Sequence, residues 1–169
     1  MPHGEQNLNC LEIEMSDKQK FLATFGNSDH IDHALNHSHD QDIIEAAAKN
    51  PSLSDDQMNK LVNSPTSFHR VAVAINPSLK KEHTDKLIND DDEDVRISLS
   101  QNPSLKKEHI DKLLQDNSHW VIPNLVGGHY KHDISYEQAT TGIKTLKRIG
   151  SRFVDAYKKD VKRKYGHDL

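Results

Sequence analysis

Cysteine is almost missing from this chain. Cys10 is the only one among 169 residues, so no intramolecular disulfide can form and no Cys-based zinc motif can be built. Aromatic residues make up 5% and hydrophobic residues 34%, with a mean hydropathy of −0.82. That shortage argues against a thick globular core, whereas a single layer of short helices needs less apolar surface. No 18-residue apolar run and no signal-peptide h-region is readable, so the expectation is one soluble cytoplasmic domain with no membrane association. A phosphate-binding loop and a Ser-His-Asp constellation are missing too, and Cys10 is a poor nucleophile candidate. Neither catalysis nor a cofactor is expected.

What is present is a repeat. Asn-Pro-Ser-Leu begins at Asn50, Asn76 and Asn102, and both intervals are 26 residues. The match is longer than the tetrapeptide: Asn76 to His83 returns unchanged as Asn102 to His109, and Asp85-Lys86-Leu87-Ile88 returns as Asp111-Lys112-Leu113-Leu114. A looser copy follows Asn50, and a degenerate one runs from His30-Ile31-Asp32-His33-Ala34-Leu35 to Asn50. A fixed period of this size marks a stacked-repeat architecture. Roughly four units span residues 27–127.

Each unit predicts two short helices. Ser54-Asp55-Asp56-Gln57 has capping-box spacing, and Lys80 and Lys106 occupy the same cap position in later units. Leu53, Met58, Leu61 and Val62 form one apolar stripe, as do Leu105, Ile110, Leu113 and Leu114. A polar turn follows, then a second helix through Val71–Ala74, Val95–Leu99 or Val121–Val126. The next Asn-Pro ends it, because the residue before proline is pushed out of the α region. Helices this short are unstable alone, and stacking buries their stripes.

The pattern Asn-Pro-x-Leu, helix, acidic turn, Val95-Arg96, short apolar helix and Asn-Pro again resembles the variant leucine-rich repeat, a relative in architecture of HEAT and armadillo repeats. Asn76 to Gln101 match best. Arg70 keeps the arginine after His69, whereas Val121-Ile122-Pro123 and Gly127-Gly128 depart from the pattern and suggest where the stack ends. The resemblance covers about 60% of the chain. It implies an all-α, right-handed helical-repeat solenoid of about four two-helix units, and it implies no catalytic residues. Similar Asn-Pro…Glu-His-Ile-Asp-Lys units also occur in predicted bacteriophage proteins, which suggests a phage origin and residence in the host cytoplasm.

The two ends differ from the repeats. Residues 1–10 read as an arm. Asp17 to Phe25 predicts a cap helix with Ser16 as N-cap and Phe21, Leu22 and Phe25 on one face, so residues 1–26 form an arm and cap. In residues 128–169, Ser135-Tyr136-Glu137-Gln138 has capping-box spacing. Ile143, Leu146, Ile149, Phe153, Tyr157, Val161 and Tyr165 then recur at helical intervals. They predict a long C-terminal cap helix, with Gly150 as a point of bending or splitting. Charge is segregated: residues 1–49 hold three Lys/Arg and nine Asp/Glu, residues 50–126 nine and twelve, and residues 127–169 ten and five.

Candidate chemistry is sparse. His30, His33, His37 and His39 stand among Asp29, Asp32 and Asp40, and imidazole suits zinc, copper or nickel. His30 nevertheless fills the slot of His83, His109 and Gln57, which favours a structural choice of the repeat, so no metal site is expected. Asp90-Asp91-Asp92-Glu93-Asp94 lacks the spacing of a calcium loop and is expected to cap the next helix. Arg70 and Arg96 pair with neighbouring acids or form a contact row. Trp120 packs as a cap or serves as a platform. The cations of the tail, Lys144, Lys147, Arg148, Arg152, Lys158, Lys159, Lys162, Arg163 and Lys164, are either the solvated face of a cap helix or a surface for an acidic partner or nucleic acid. The leading expectation is a non-catalytic scaffold binding a protein partner, an inhibitor or adaptor if phage-encoded. The alternative is nucleic-acid binding through the basic tail.

Overall fold

A computed structural model describes residues 17, 20, 22–24, 26–38, 40–127 and 132–166. Cys10, Ser16, Phe21, Phe25, His39 and Gly128, and with them the expected arm, lie outside the described residues. Among the described residues all regular structure is helical. The chain divides into two compact units, Met1–Ser78 and Leu79–Leu169.

The first unit contains α1 (Ser28–His37), α2 (Gln41–Ala48), α3 (Asp55–Val62) and α4 (Ser67–Ala74). The second contains α5 (Lys81–Leu87), α6 (Glu93–Ser100), α7 (Lys107–Leu113), α8 (Val121–Gly127), α9 (Tyr136–Arg148) and α10 (Val154–Tyr165). Residues 17, 20 and 22–24 are helical as well. Packing is between short neighbours: α1 on α2, α2 and α3 on α4, α6 on α5, α7 and α8, and α9 on α10. The expected stripes are buried except at Leu53 and Leu105, which are half-buried. Met58, Leu61 and Val62 are covered in the first unit, and Leu87, Leu99, Ile110, Leu113, Leu114, Ile122 and Leu125 in the second.

The asparagine of the tetrapeptide is a buried polar joint. Asn50, Asn76 and Asn102 are at most 3% exposed. Each side-chain oxygen accepts the N–H of the Ser two residues on, at 2.8 Å, an Asx turn that closes the loop. The amide of Asn76 donates to Ala48 O at 2.7 Å and Asn50 O at 3.0 Å, and that of Asn50 donates to Ala23 O at 3.0 Å. Carbonyls at the end of a preceding helix have no intrahelical partner. One residue therefore satisfies two ends at once, and proline after it prevents the helix from continuing. Where Gly127-Gly128 replaces Asn-Pro, His132 takes over: its Nε2 donates to Ser100 O at 2.8 Å.

A second slot is equally regular. The third residue of the first helix in a pair is Gln57, His83, His109 or Gln138. Gln57 and Gln138 accept the Ser54 and Ser135 N–H at 2.9 and 3.0 Å through Oε1. His83 and His109 accept the Lys80 and Lys106 N–H at 3.3 and 3.2 Å through Nδ1. A lysine side chain cannot accept in return, so the units with Lys80 and Lys106 keep only half of the capping box that Ser54 and Ser135 complete.

The expected long C-terminal helix is two helices. Gly150 has φ +66°, its N–H donates to Lys147 O at 3.1 Å, and that of Ser151 donates to Leu146 O at 2.9 Å. This is a Schellman stop, which needs a left-handed residue that glycine supplies. The apolar stripe survives the break, with Ile143, Leu146, Tyr157 and Val161 all buried.

Candidate functional site

The repeat leaves little polar chemistry free, because its distinctive side chains are spent on its own backbone. Arg70 Nη1 donates to Ser64 O at 2.8 Å. Arg96 Nη1 donates to Asp90 O at 2.6 Å, and its Nε donates to Asp116 at 2.8 Å in a largely covered ion pair. Asp92 caps α6 by accepting the Asp94 N–H at 2.9 Å, as expected of the acidic run. A broad cleft in the first unit, about 700 Å³, is edged by Lys20, Asp42, Glu45 and Lys49. Its charges pair off, Lys20 with Asp42 at 3.0 Å and Lys49 with Glu45. Among the described residues no three His, Cys, Asp or Glu side chains converge as a metal ligand set.

The C-terminal helices are different. Trp120, in the turn before α8, is 45% exposed. Its ring lies 4.8 Å from that of Phe153, tilted by 53°. The Arg152 guanidinium sits 5.7 Å from the Trp120 ring centre and 5.0 Å from that of Phe153, within reach of a cation–π attraction. Trp120 is held from below. Its N–H donates to Ser118 Oγ at 3.1 Å, and the Ser118 N–H donates to Asp116 at 2.7 Å. Asp116 in turn accepts from Arg96. Arg148 closes the other side by donating to Gln115 O at 3.3 Å and Asn117 Oδ1 at 3.0 Å. Arg96 and Arg148 thus fix the turn that displays the tryptophan.

The cations of the tail separate into two groups. Arg163 pairs with Asp160 at 2.9 Å, and Lys164 lies over Tyr165 at 5.2 Å and donates to Ile134 O. Lys144, Lys147, Lys158 and Lys159 make no ion pair among the described residues. Lys144, Lys147 and Arg148 are spaced i, i+3 and i+4 on α9, and Lys159, Lys162 and Arg163 repeat that spacing on α10, so each helix shows one basic face. All six are exposed.

A second aromatic group sits nearby in sequence. Tyr136, 38% exposed, meets Tyr165 edge to face at 5.7 Å. The Tyr165 hydroxyl donates to Ile134 O. Sequence patterning places Tyr165 on the apolar stripe and gives no sign of Tyr136, because the two are joined across two helices. The role of His132 is equally hidden, since it lies four residues beyond position 128, where the 26-residue period would put asparagine.

No protein-family model, curated protein or solved structure matches this chain. None of the described helices is long and apolar enough to cross a membrane.

Proposed function

We propose that the protein is a non-catalytic helical-repeat scaffold that binds an acidic protein partner through the Trp120 surface of its C-terminal helices. The observation that carries this is the supported exposure of Trp120, with Phe153 and Arg152 against it and Asp116 and Ser118 beneath it. Exposed tryptophan and arginine on a rigid base are the residues that dominate protein–protein affinity. The unpaired lysines of α9 and α10 supply the complement to carboxylates and would steer their approach. The recurring helix pairs and Asn joints support a variant leucine-rich solenoid of right-handed pitch as the frame. The resemblance of the units to those of phage proteins makes an inhibitor or adaptor working in a host cytoplasm the special case.

Affinity capture with the full chain tests this. Wild-type bait is expected to retain a protein that Trp120→Ala and Arg152→Glu baits lose by about 30-fold or more, the size of a hot-spot loss. Wild-type bait that retains no protein, together with turnover in a substrate screen, would overturn it.

A second reading, nucleic-acid binding, is favoured by one observation: an exposed indole with the Arg152 guanidinium beside it is also a base-stacking platform. It expects a salt-sensitive gel shift with a single-stranded oligonucleotide, abolished by changing Lys144, Lys147, Lys158 and Lys159 to Gln. The acidic balance of residues 50–126 weighs against it.

A further inference from the structure

We propose that His33 and His37 form a two-imidazole site for a divalent late transition metal, nickel, copper or zinc, on the outer face of α1. The repeat explains His30, which occupies the slot of Gln57, His83 and His109, but it does not explain these two. His33 stands where the later units have Lys60, Lys86 and Lys112, and His37 where they have Ser64, Asp90 and Asp116. Neither ring makes a hydrogen bond or ion pair among the described residues.

Residues four apart share a helix face, and here the ring centres are 5.0 Å apart with a tilt of 39°. An imidazole nitrogen binds zinc at about 2.0–2.1 Å, which puts two ring centres on one tetrahedral ion roughly 5 Å apart. The pair therefore already has the spacing of a bidentate ligand. Both histidines are exposed and open on a cavity of about 110 Å³, which Leu22, His30, Ala34, Ser38 and Ile43 also line. No third His, Cys, Asp or Glu among the described residues completes the set, so water or a group from another molecule takes the remaining positions.

Titration of the full chain at about pH 7.5 with zinc chloride and nickel chloride, followed by calorimetry, tests the site. One ion per chain is expected, with magnesium chloride giving no heat because its preferred ligands are oxygens. His33→Asn or His37→Asn is expected to weaken binding at least tenfold, while His119→Asn, an exposed histidine elsewhere, leaves it unchanged. Circular dichroism of each variant shows that the helices persist. Absence of heat with both ions, or equal affinity in wild type and in the His33→Asn/His37→Asn double variant, overturns the site. The Trp120 surface uses neither residue, so its fate is decided separately.

Discussion

At His109 one buried imidazole meets two demands. Its Nδ1 accepts the Lys106 N–H, so the remaining proton sits on Nε2. That Nε2 has no hydrogen-bond partner among the described residues, with Asp85 at 3.9 Å and Glu108 at 3.7 Å. Burial holds its pKa below the ordinary value of 6.5, against the opposing pull of Asp85 and Glu108, while Lys81 and Lys112 add to the lowering. A histidine with a lowered folded pKa takes up a proton more readily when unfolded. Its contribution to stability is therefore full above about pH 6.5 and is lost as the pH falls through the lower folded value. Gln performs the same task at 57 and 138, and Gln138 reaches Asp111 at 2.6 Å, the counterpart of Asp85. His109→Gln is expected to match wild type in urea unfolding at about pH 8 and to be the more stable at about pH 5. Some acid sensitivity will remain from His69, also lowered by burial and by Lys60. Tyr157 offers a second test. Its hydroxyl is buried without a partner among the described residues, and burial raises its pKa. Tyr157→Phe should gain about 1 kcal/mol in thermal or urea unfolding. A Cβ on Gly142 would lie 2.8 Å from that hydroxyl, so Gly142→Ala should be better tolerated in the Tyr157→Phe background by roughly 1 kcal/mol in a double-mutant cycle.

Among the elements, the break between α9 and α10 and the turn before α8 decide what the C-terminus presents. A Cβ added at Gly150 would meet none of the described residues within 4 Å, so a side chain there faces only backbone strain. Gly150→Ala is expected to lower stability by about 1 kcal/mol through its positive φ, with little change in helix content. Arg96 acts on a different element from the one it belongs to, because its pair with Asp116 supports Ser118 and Trp120. Arg96→Ala should destabilise by about 2 kcal/mol, the loss of a charge-assisted bond. Trp120 is the only tryptophan in the chain, so its emission reports directly: faster anisotropy decay is expected in Arg96→Ala, and an unchanged decay would show that the pair does not hold the turn.

For the whole molecule, charge is distributed along the chain rather than mixed. Lys144, Lys147, Lys158 and Lys159 stand in the one region with a positive balance. Changing all four to Gln should leave unfolding within a few tenths of a kcal/mol per site, as expected of surface positions. It should slow association with an acidic partner and flatten its salt dependence, which stopped-flow Trp120 fluorescence at two ionic strengths would read.

The amino-acid sequence by itself determined the helical class, the 26-residue period, the buried stripes and the capping residues. These are local properties: a stripe follows from helical spacing, and a cap follows from side chains three residues apart. Gly150 was legible as a weak point, although not as a full stop, because its φ depends on the hydrogen bonds of Gly150 and Ser151 to the preceding turn. Tertiary structure alone decided what lies across helices. It placed Phe153 and Arg152 on Trp120, joined Arg96 through Asp116 to the turn beneath it, set His132 on the carbonyl of Ser100, and left Tyr157 without a partner among the described residues. The contacts of Arg96 and His132 span 20 and 32 positions of chain, and no pattern of neighbouring residues encodes a meeting at such separations.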